Sequence, residues 1–168
     1  MNKAQKQTRP HRHQPQSGLT LTQYVRRRTG VPLGHADSLR NMLHRSLGAN
    51  SFAGFWQYWN PIWGYGLGKY VYAPLQRFLP STIAFILTFV ISGGIHDLAT
   101  MAVRRSGAFL FTPWFFFLGV GALLGSAVNM DLSSRSWLVR VGVNLTYIAF
   151  CLAVALIAKR AFAELDLF

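Results

Sequence analysis

Three long apolar runs in the second half of the chain constrain its fold more than any other feature. They cover residues 81–103, 109–130 and 137–158. Each run has about 22 residues, and a helix of that length crosses a hydrocarbon core about 30 Å thick. The links between the runs are short, so consecutive helices should be antiparallel neighbours. The sequence therefore predicts an all-α membrane protein with about three transmembrane helices.

The basic residues are concentrated in the other half of the chain. Residues 1–79 carry 11 of the 17 lysines and arginines and a single acid, Asp37, and the formal net charge is +12. A basic arm beside a membrane domain favours anionic lipid as its partner. Nucleic acid is disfavoured because the apolar runs are too long for a soluble nucleic-acid binder. The positive-inside rule predicts a multi-pass integral membrane protein with a cytoplasmic N-terminus.

Composition divides the chain into three parts. Residues 1–36 are predicted to be a disordered basic arm, since their polar beginning has almost nothing to bury. Residues 37–80 are predicted to form amphipathic and interfacial helices, with apolar side chains at helical spacing followed by a segment crowded with aromatic residues. The apolar side chains at helical spacing are Leu39, Met42, Leu43 and Leu47. Residues 81–168 should then be the three-helix transmembrane domain.

Several kinds of site are absent from the sequence. Cys151 is the only cysteine, so no disulfide within the chain is possible, and no Cys/His spacing typical of a metal site occurs. No glycine-rich phosphate loop, serine nucleophile elbow or paired-carboxylate arrangement is present. We therefore predict no metal ion and no resident cofactor.

A polar stripe in the first apolar run is the strongest indication of chemistry. Thr88, Ser92, His96 and Thr100 are four residues apart and share one helix face. An ionisable group at membrane depth is costly without a partner or a role, so we expect His96 to face inward, toward the second or third run or a partner chain. A structural interpretation stays open, with hydroxyls bonded to the backbone and a neutral histidine between helices. Asp97 lies about 100° further round the helix and is not an obvious triad partner.

An aromatic block before the first run ends in Asn60-Pro61. An asparagine side chain offers both a donor and an acceptor, so Asn60 could orient a substrate among the rings of Trp56 and Trp59. Alternatively Asn60 is a helix-end residue, because the following proline disfavours helix there. In the second run, Gly121 and Gly125 form a small-residue face that is expected to pack against another helix.

Taken together, three motifs resemble the membrane-bound O-acyltransferase (MBOAT) family in their order and spacing. They are Phe55-Trp56-Gln57-Tyr58-Trp59-Asn60, Lys69-Tyr70-Val71-Tyr72-Ala73-Pro74-Leu75 and Ser92-Gly93-Gly94-Ile95-His96-Asp97. The resemblance implies that His96 matches the catalytic histidine of the family and Asn60 its second polar active-site residue. It further implies transfer of an acyl group from a thioester, commonly acyl-CoA, to a hydroxyl or amine within a membrane tunnel.

On this basis we expect an O-acyltransferase in which His96 is the general base and Asn60 assists it. Trp56, Trp59, Thr88 and Ser92 would line the substrate site. Acyl-CoA or a similar thioester would be a co-substrate. Family enzymes are usually far longer, and three helices alone cannot enclose a long tunnel. We therefore expect a second membrane subunit or a homo-oligomer, joined through Gly121 and Gly125. The alternative is a non-catalytic membrane subunit, a truncated relative of the family acting in assembly.

Overall fold

The fold is known from a computed structural model that describes residues 18–104 and 109–165, with side chains described as far as residue 161. Every regular element in these ranges is helical, which confirms the all-α class. The helices are α1 (Leu21–Thr29), α2 (Ser38–Leu47), α3 (Phe52–Tyr58), α4 (Pro61–Leu67), a π-helical turn (Gly68–Tyr72), α5 (Ala73–Leu75), α6 (Ser81–Arg104), α7 (Phe111–Ala127) and α8 (Trp137–Leu165).

Helix α1 corrects the prediction that residues 1–36 are disordered. Its first turn is a capping box, in which Thr20 Oγ1 accepts from the Gln23 backbone N–H and Gln23 Oε1 accepts from the Thr20 N–H. Gly30, with φ of 83°, ends the helix in the left-handed conformation. The prediction was wrong because it rested on the basic charge of the segment. Helix α1 carries three arginines, but it also buries Tyr24 and Val25. The rest of the predicted disorder, residues 1–17, lies outside the described residues.

The segment from α1 to α5 forms a layer that we call the aromatic platform (residues 21–75). Helix α2 matches the predicted amphipathic helix, and α1 packs on α2 and α4. Helix α4 starts at Pro61, whose missing N–H suits a first helical turn. The platform then packs through α3 onto α7 and α8. The predicted amphipathic and interfacial helices therefore pack onto the apolar helices.

Among the described residues, two helices are long and apolar enough to cross a membrane. They are Ser81–Arg104 and Trp137–Ala161. Helix α7 has 17 residues, about 26 Å at 1.5 Å per residue, against a hydrocarbon core of about 30 Å. The predicted run to residue 130 was too long because Asn129 turns the chain with a φ of 50°. The count of three transmembrane helices is thus not confirmed, whereas two candidate spans are present.

The backbones of α6 and the start of α7 lie in close contact at Gly93. A Cβ atom placed there would lie 2.6 Å from the carbonyl oxygen of Phe111 and 2.8 Å from Cα of Thr112. Only a residue without a side chain leaves room for backbone contact of this kind. Gly93 therefore sets the distance between the two helices at the start of α7.

The core lies between the platform and helices α7 and α8. Its buried members are Ala49, Phe52, Phe55, Leu118, Ala122 and Cys151. The glycine face of α7 belongs to this core, because a Cβ on Gly121 would lie 3.4 Å from Cys151 Sγ and 3.6 Å from the Phe52 ring. Association with another subunit through this face would require α7 and α8 to separate. The face that we expected to join subunits is thus occupied within one chain.

Candidate functional site

A cavity of about 830 Å³ lies among the platform, α6 and α7. All six predicted site residues line it: Trp56, Trp59, Asn60, Thr88, Ser92 and His96. The remaining wall is mainly aromatic and aliphatic. The volume falls in the range of pockets that enclose small organic ligands. The platform supplies much of the wall, for which a further subunit was predicted.

The ring of His96 is half-buried and faces α7, as the polar stripe predicted. Its centroid lies 5.8 Å from Trp63, 5.6 Å from Phe111 and 5.0 Å from Phe115. Nδ1 lies 2.7 Å from the Ser92 carbonyl oxygen. A carbonyl oxygen can only accept, so this hydrogen bond requires the proton on Nδ1 and leaves the lone pair of a neutral imidazole on Nε2. Nε2 is the atom available for proton transfer.

The hydroxyls of the polar stripe have different partners. Ser92 Oγ accepts from Trp63 Nε1–H at 2.9 Å, so the indole of the platform is tied to α6 beside His96. Thr88 Oγ1 donates to the Ala84 carbonyl at 2.7 Å, and Thr100 Oγ1 donates to the His96 carbonyl at 2.8 Å. Both threonines thus follow the structural interpretation. Ser92 is the stripe hydroxyl that connects two elements.

Asn60 is the N-cap of α4, which matches the helix-end alternative. Its Oδ1 accepts from the Trp63 backbone N–H at 3.3 Å, and its φ of 38° is in the left-handed region that asparagine tolerates. Asn60 thereby holds Trp63, whose ring contacts His96. Its Nδ2 takes part in none of the hydrogen bonds observed among the described residues. Asn60 thus combines a capping role with a position in the cavity wall.

Asp97 is buried, and its carboxylate accepts hydrogen bonds from the beginning of α7 and not from His96. Oδ1 accepts from the backbone N–H groups of Leu110 and Phe111 at 2.9 and 2.8 Å. Oδ2 accepts from the Thr112 backbone N–H at 2.8 Å and from its hydroxyl at 2.6 Å. These are donors that have no partner within a helical first turn. Asp97 therefore fixes the end of α7 that carries Phe111, with Phe115 one turn further on.

Arg28 is a site residue that the sequence analysis missed, because it was placed in the disordered arm. It lines the cavity from α1, and its Nη1 donates to Gln57 Oε1 at 3.2 Å. Its guanidinium carbon lies 5.0 Å from the centroid of Tyr24. Trp63 was also missed, although its place three residues after an asparagine is typical of a capped first turn. Within the described residues, no group of three or more His, Cys, Asp or Glu could hold a metal ion.

No protein-family profile, curated protein or solved structure matches this chain. The class of this protein is therefore argued from its own motifs and from the cavity they line.

Proposed function

We propose that this protein is a membrane-bound O-acyltransferase of the MBOAT type, which transfers an acyl group from a thioester such as acyl-CoA to a hydroxyl. One observation carries the proposal. His96 lies in the wall of an apolar cavity together with every other residue assigned to the site, and the Ser92 carbonyl fixes its tautomer. An apolar cavity suits an acyl chain, and a neutral imidazole with a free lone pair suits proton transfer.

The proposed reaction uses His96 first as a base and then as an acid. Nε2 takes the proton of the acceptor hydroxyl while its oxygen attacks the thioester carbonyl. The tetrahedral intermediate collapses, the C–S bond breaks, and the imidazolium returns the proton to the departing thiolate. The products are an ester and a free thiol, and the histidine is neutral again. Asn60 Nδ2 donates to the oxygen that becomes negative in the intermediate.

We further propose that α7 also crosses the bilayer, which gives three passes with the N-terminus in the cytoplasm. Helix α7 begins beside Asp97 of α6, and the link after it returns to the platform, where the Leu132 N–H donates to the Asn50 carbonyl at 2.8 Å. The indole N–H of Trp137, at the start of α8, donates to the His44 carbonyl at 3.1 Å. These contacts support opposite directions for α6 and α7. A short helix can span where the bilayer thins locally.

Acyl transfer by the purified protein tests the proposed function. Palmitoyl-CoA is incubated with the protein and a panel of lipid and sugar alcohols, and released thiol and ester are measured. We expect His96→Ala to lower the rate at least 100-fold, the size typical of a lost general base. The matched control is His35→Ala, because His35 is exposed, outside the cavity and 3.6 Å from Asp37. Equal rates for wild type and His96→Ala would overturn the assignment and leave the non-catalytic alternative.

A further inference from the structure

Two buried N–H groups in residues that line the cavity have no acceptor. They are Nε of Arg28 and Nε1 of Trp56, and neither has a hydrogen-bond partner in the described part of the chain. Buried donors in folded proteins almost always have a partner, which is the protein itself, water or a ligand. Both donors belong to side chains that line one cavity, so a ligand bound there is one source of the missing acceptor.

The charge of Arg28 points to the kind of acceptor. A guanidinium stays protonated, and its observed contacts, Gln57 and Tyr24, are neutral. Among the described side chains, no carboxylate pairs with it. Asp37 lies beside His35, and Asp97 binds the start of α7. Asp131 accepts from the backbone N–H and hydroxyl of Ser133, which hold the pKa of its carboxyl below its usual range. An anionic ligand would supply the missing charge.

The apolar residues of the cavity wall indicate the chemistry of the rest of that ligand. Most other residues that line the cavity are aliphatic or aromatic, among them Leu43, Leu47, Phe85 and Phe89. Burying an apolar chain against such a surface is favourable in proportion to its length. A ligand that suits both regions is an amphiphile with one apolar chain.

We propose that the cavity binds a single-chain amphiphile with an anionic oxygen headgroup, which accepts hydrogen bonds from Arg28 and Trp56. A carboxylate and a phosphate both present the paired oxygens that a guanidinium binds well. The role of this amphiphile as a substrate rests on the proposed function, because the reaction would take place at His96 in the same site. The binding itself needs no reaction. Arg28 on α1 and His96 on α6 hold separate parts of the wall.

Quenching of tryptophan fluorescence measures this binding directly. The probe is stearic acid brominated at mid-chain, since bromine quenches tryptophan on contact, and Trp56, Trp59, Trp63 and Trp114 all line the cavity. The protein is titrated in detergent with the acid, with its uncharged methyl ester, and with a lysophosphatidic acid carrying the same brominated chain. We expect the acid or the lysophosphatidic acid to bind at least ten times more tightly than the ester. The tighter of the two identifies the headgroup.

Substitutions in α1 and α3 distinguish specific binding of the headgroup from general attraction of an anion to a basic protein. Arg28→Gln should weaken the preferred anion about tenfold, equivalent to about 1.4 kcal/mol, and leave the ester unchanged. Arg27→Gln is the matched control, because Arg27 has the same charge, is exposed and does not line the cavity. Trp56→Phe keeps a ring but removes the donor, and it should weaken the anion as well. Equal binding of anion and ester, or equal losses from Arg27→Gln and Arg28→Gln, would overturn the proposal.

The same titration on His96→Ala distinguishes failure of this proposal from failure of the proposed function. We expect this variant to bind the anion within a few-fold of wild type while losing acyl transfer. Anion binding that depends on Arg28, without transfer by any form of the protein, would remove the acyltransferase assignment and keep the binding site. Transfer that depends on His96, without preference for the anion, would do the reverse. Circular dichroism and gel filtration show whether each variant is folded.

Discussion

His96 and Asp97 are neighbours in sequence, yet their side chains belong to different parts of the molecule. His96 lines the cavity and bonds to its own helix, whereas Asp97 is buried between α6 and the start of α7. A histidine followed by an aspartate invites interpretation as a catalytic pair. Four hydrogen bonds to α7 show a structural role for Asp97, which positions the aromatic residues around the histidine.

Asp97→Asn is the sharpest test of that role. The amide has nearly the same shape, but its NH₂ group would face one or more of the N–H donors of α7. We expect the free energy of unfolding to fall by about 1.5–3 kcal/mol, the range for hydrogen bonds to a charged group. Denaturant unfolding in detergent measures the loss, and the acyl-transfer rate should fall with it because Phe111 and Phe115 shift.

Asp131→Asn is the matched control for this substitution. Asp131 is exposed and bonds only to Ser133 in the link before α8, so its replacement should leave the unfolding midpoint nearly unchanged. If Asp97→Asn unfolded at the wild-type denaturant concentration, the hydrogen bonds to α7 would not be what holds the two helices together.

At the scale of elements, a buried amide on α8 binds the platform, in addition to the Trp137 indole that donates to His44. Asn144 is fully buried, and its Nδ2 donates to the carbonyls of Leu47 and Ala49 at 2.9 and 3.1 Å. These carbonyls lie at the last residue of α2 and just after it, where a helix has no internal donors for them. The amide therefore supplies a donor to the end of α2 and joins it to α8.

Asn144→Ala should loosen this attachment. Loss of the amide leaves buried carbonyl oxygens without a donor, at a cost of about 1–3 kcal/mol in the free energy of unfolding. Binding of the brominated amphiphile should weaken in parallel, because the platform forms much of the cavity wall. Thr146→Ala, an exposed change on the same helix, is the control and should alter neither property. Stability and binding that both stayed at wild-type values would show that the amide is dispensable.

Elements with a strong periodic pattern were predictable from the sequence, whereas their mutual contacts were not. Helix α2 and the beginning of α6 lie where apolar spacing placed them, and His96 faces inward because a polar stripe in an apolar helix has to be covered. Helix α1 was missed because its buried face is only a few residues long. Three of the four donors that bind Asp97 are backbone N–H groups, which no side-chain pattern encodes. The motifs predicted that Trp56 and Asn60 share a site with His96, whereas the packing of the platform that forms much of its wall was not predicted.

At the scale of the whole molecule, a single chain lines the cavity, for which a second subunit or a homo-oligomer was predicted. The platform lies against α6 and α7 and supplies the wall that three helices alone could not. Association with other chains stays a prediction, but its surface has to be other than the glycine face of α7, which is packed against Phe52 and Cys151.

Labelling of single cysteines tests the proposed three passes. In a Cys151→Ala background, cysteines replace the exposed residues Arg40, Ser134 and Lys159 one at a time. Three passes place Arg40 and Ser134 on the cytoplasmic side and Lys159 on the other. A membrane-impermeant maleimide should therefore label the first two only in inverted vesicles and the third only in intact cells. If the cysteine at position 134 were labelled from the side opposite the cysteine at position 40, α7 would not cross the bilayer.

The binding of the start of α7 by Asp97 also bears on the membrane insertion that we propose. Alone in hydrocarbon, α7 would expose the free N–H groups of its first turn, and lipid offers no acceptor for them. The acceptor is on α6, which a ribosome completes before α7 emerges. The two helices should therefore partition into lipid as a preformed hairpin. In a nascent chain halted after α6, the carboxylate of Asp97 would have no hydrogen-bond donors from α7.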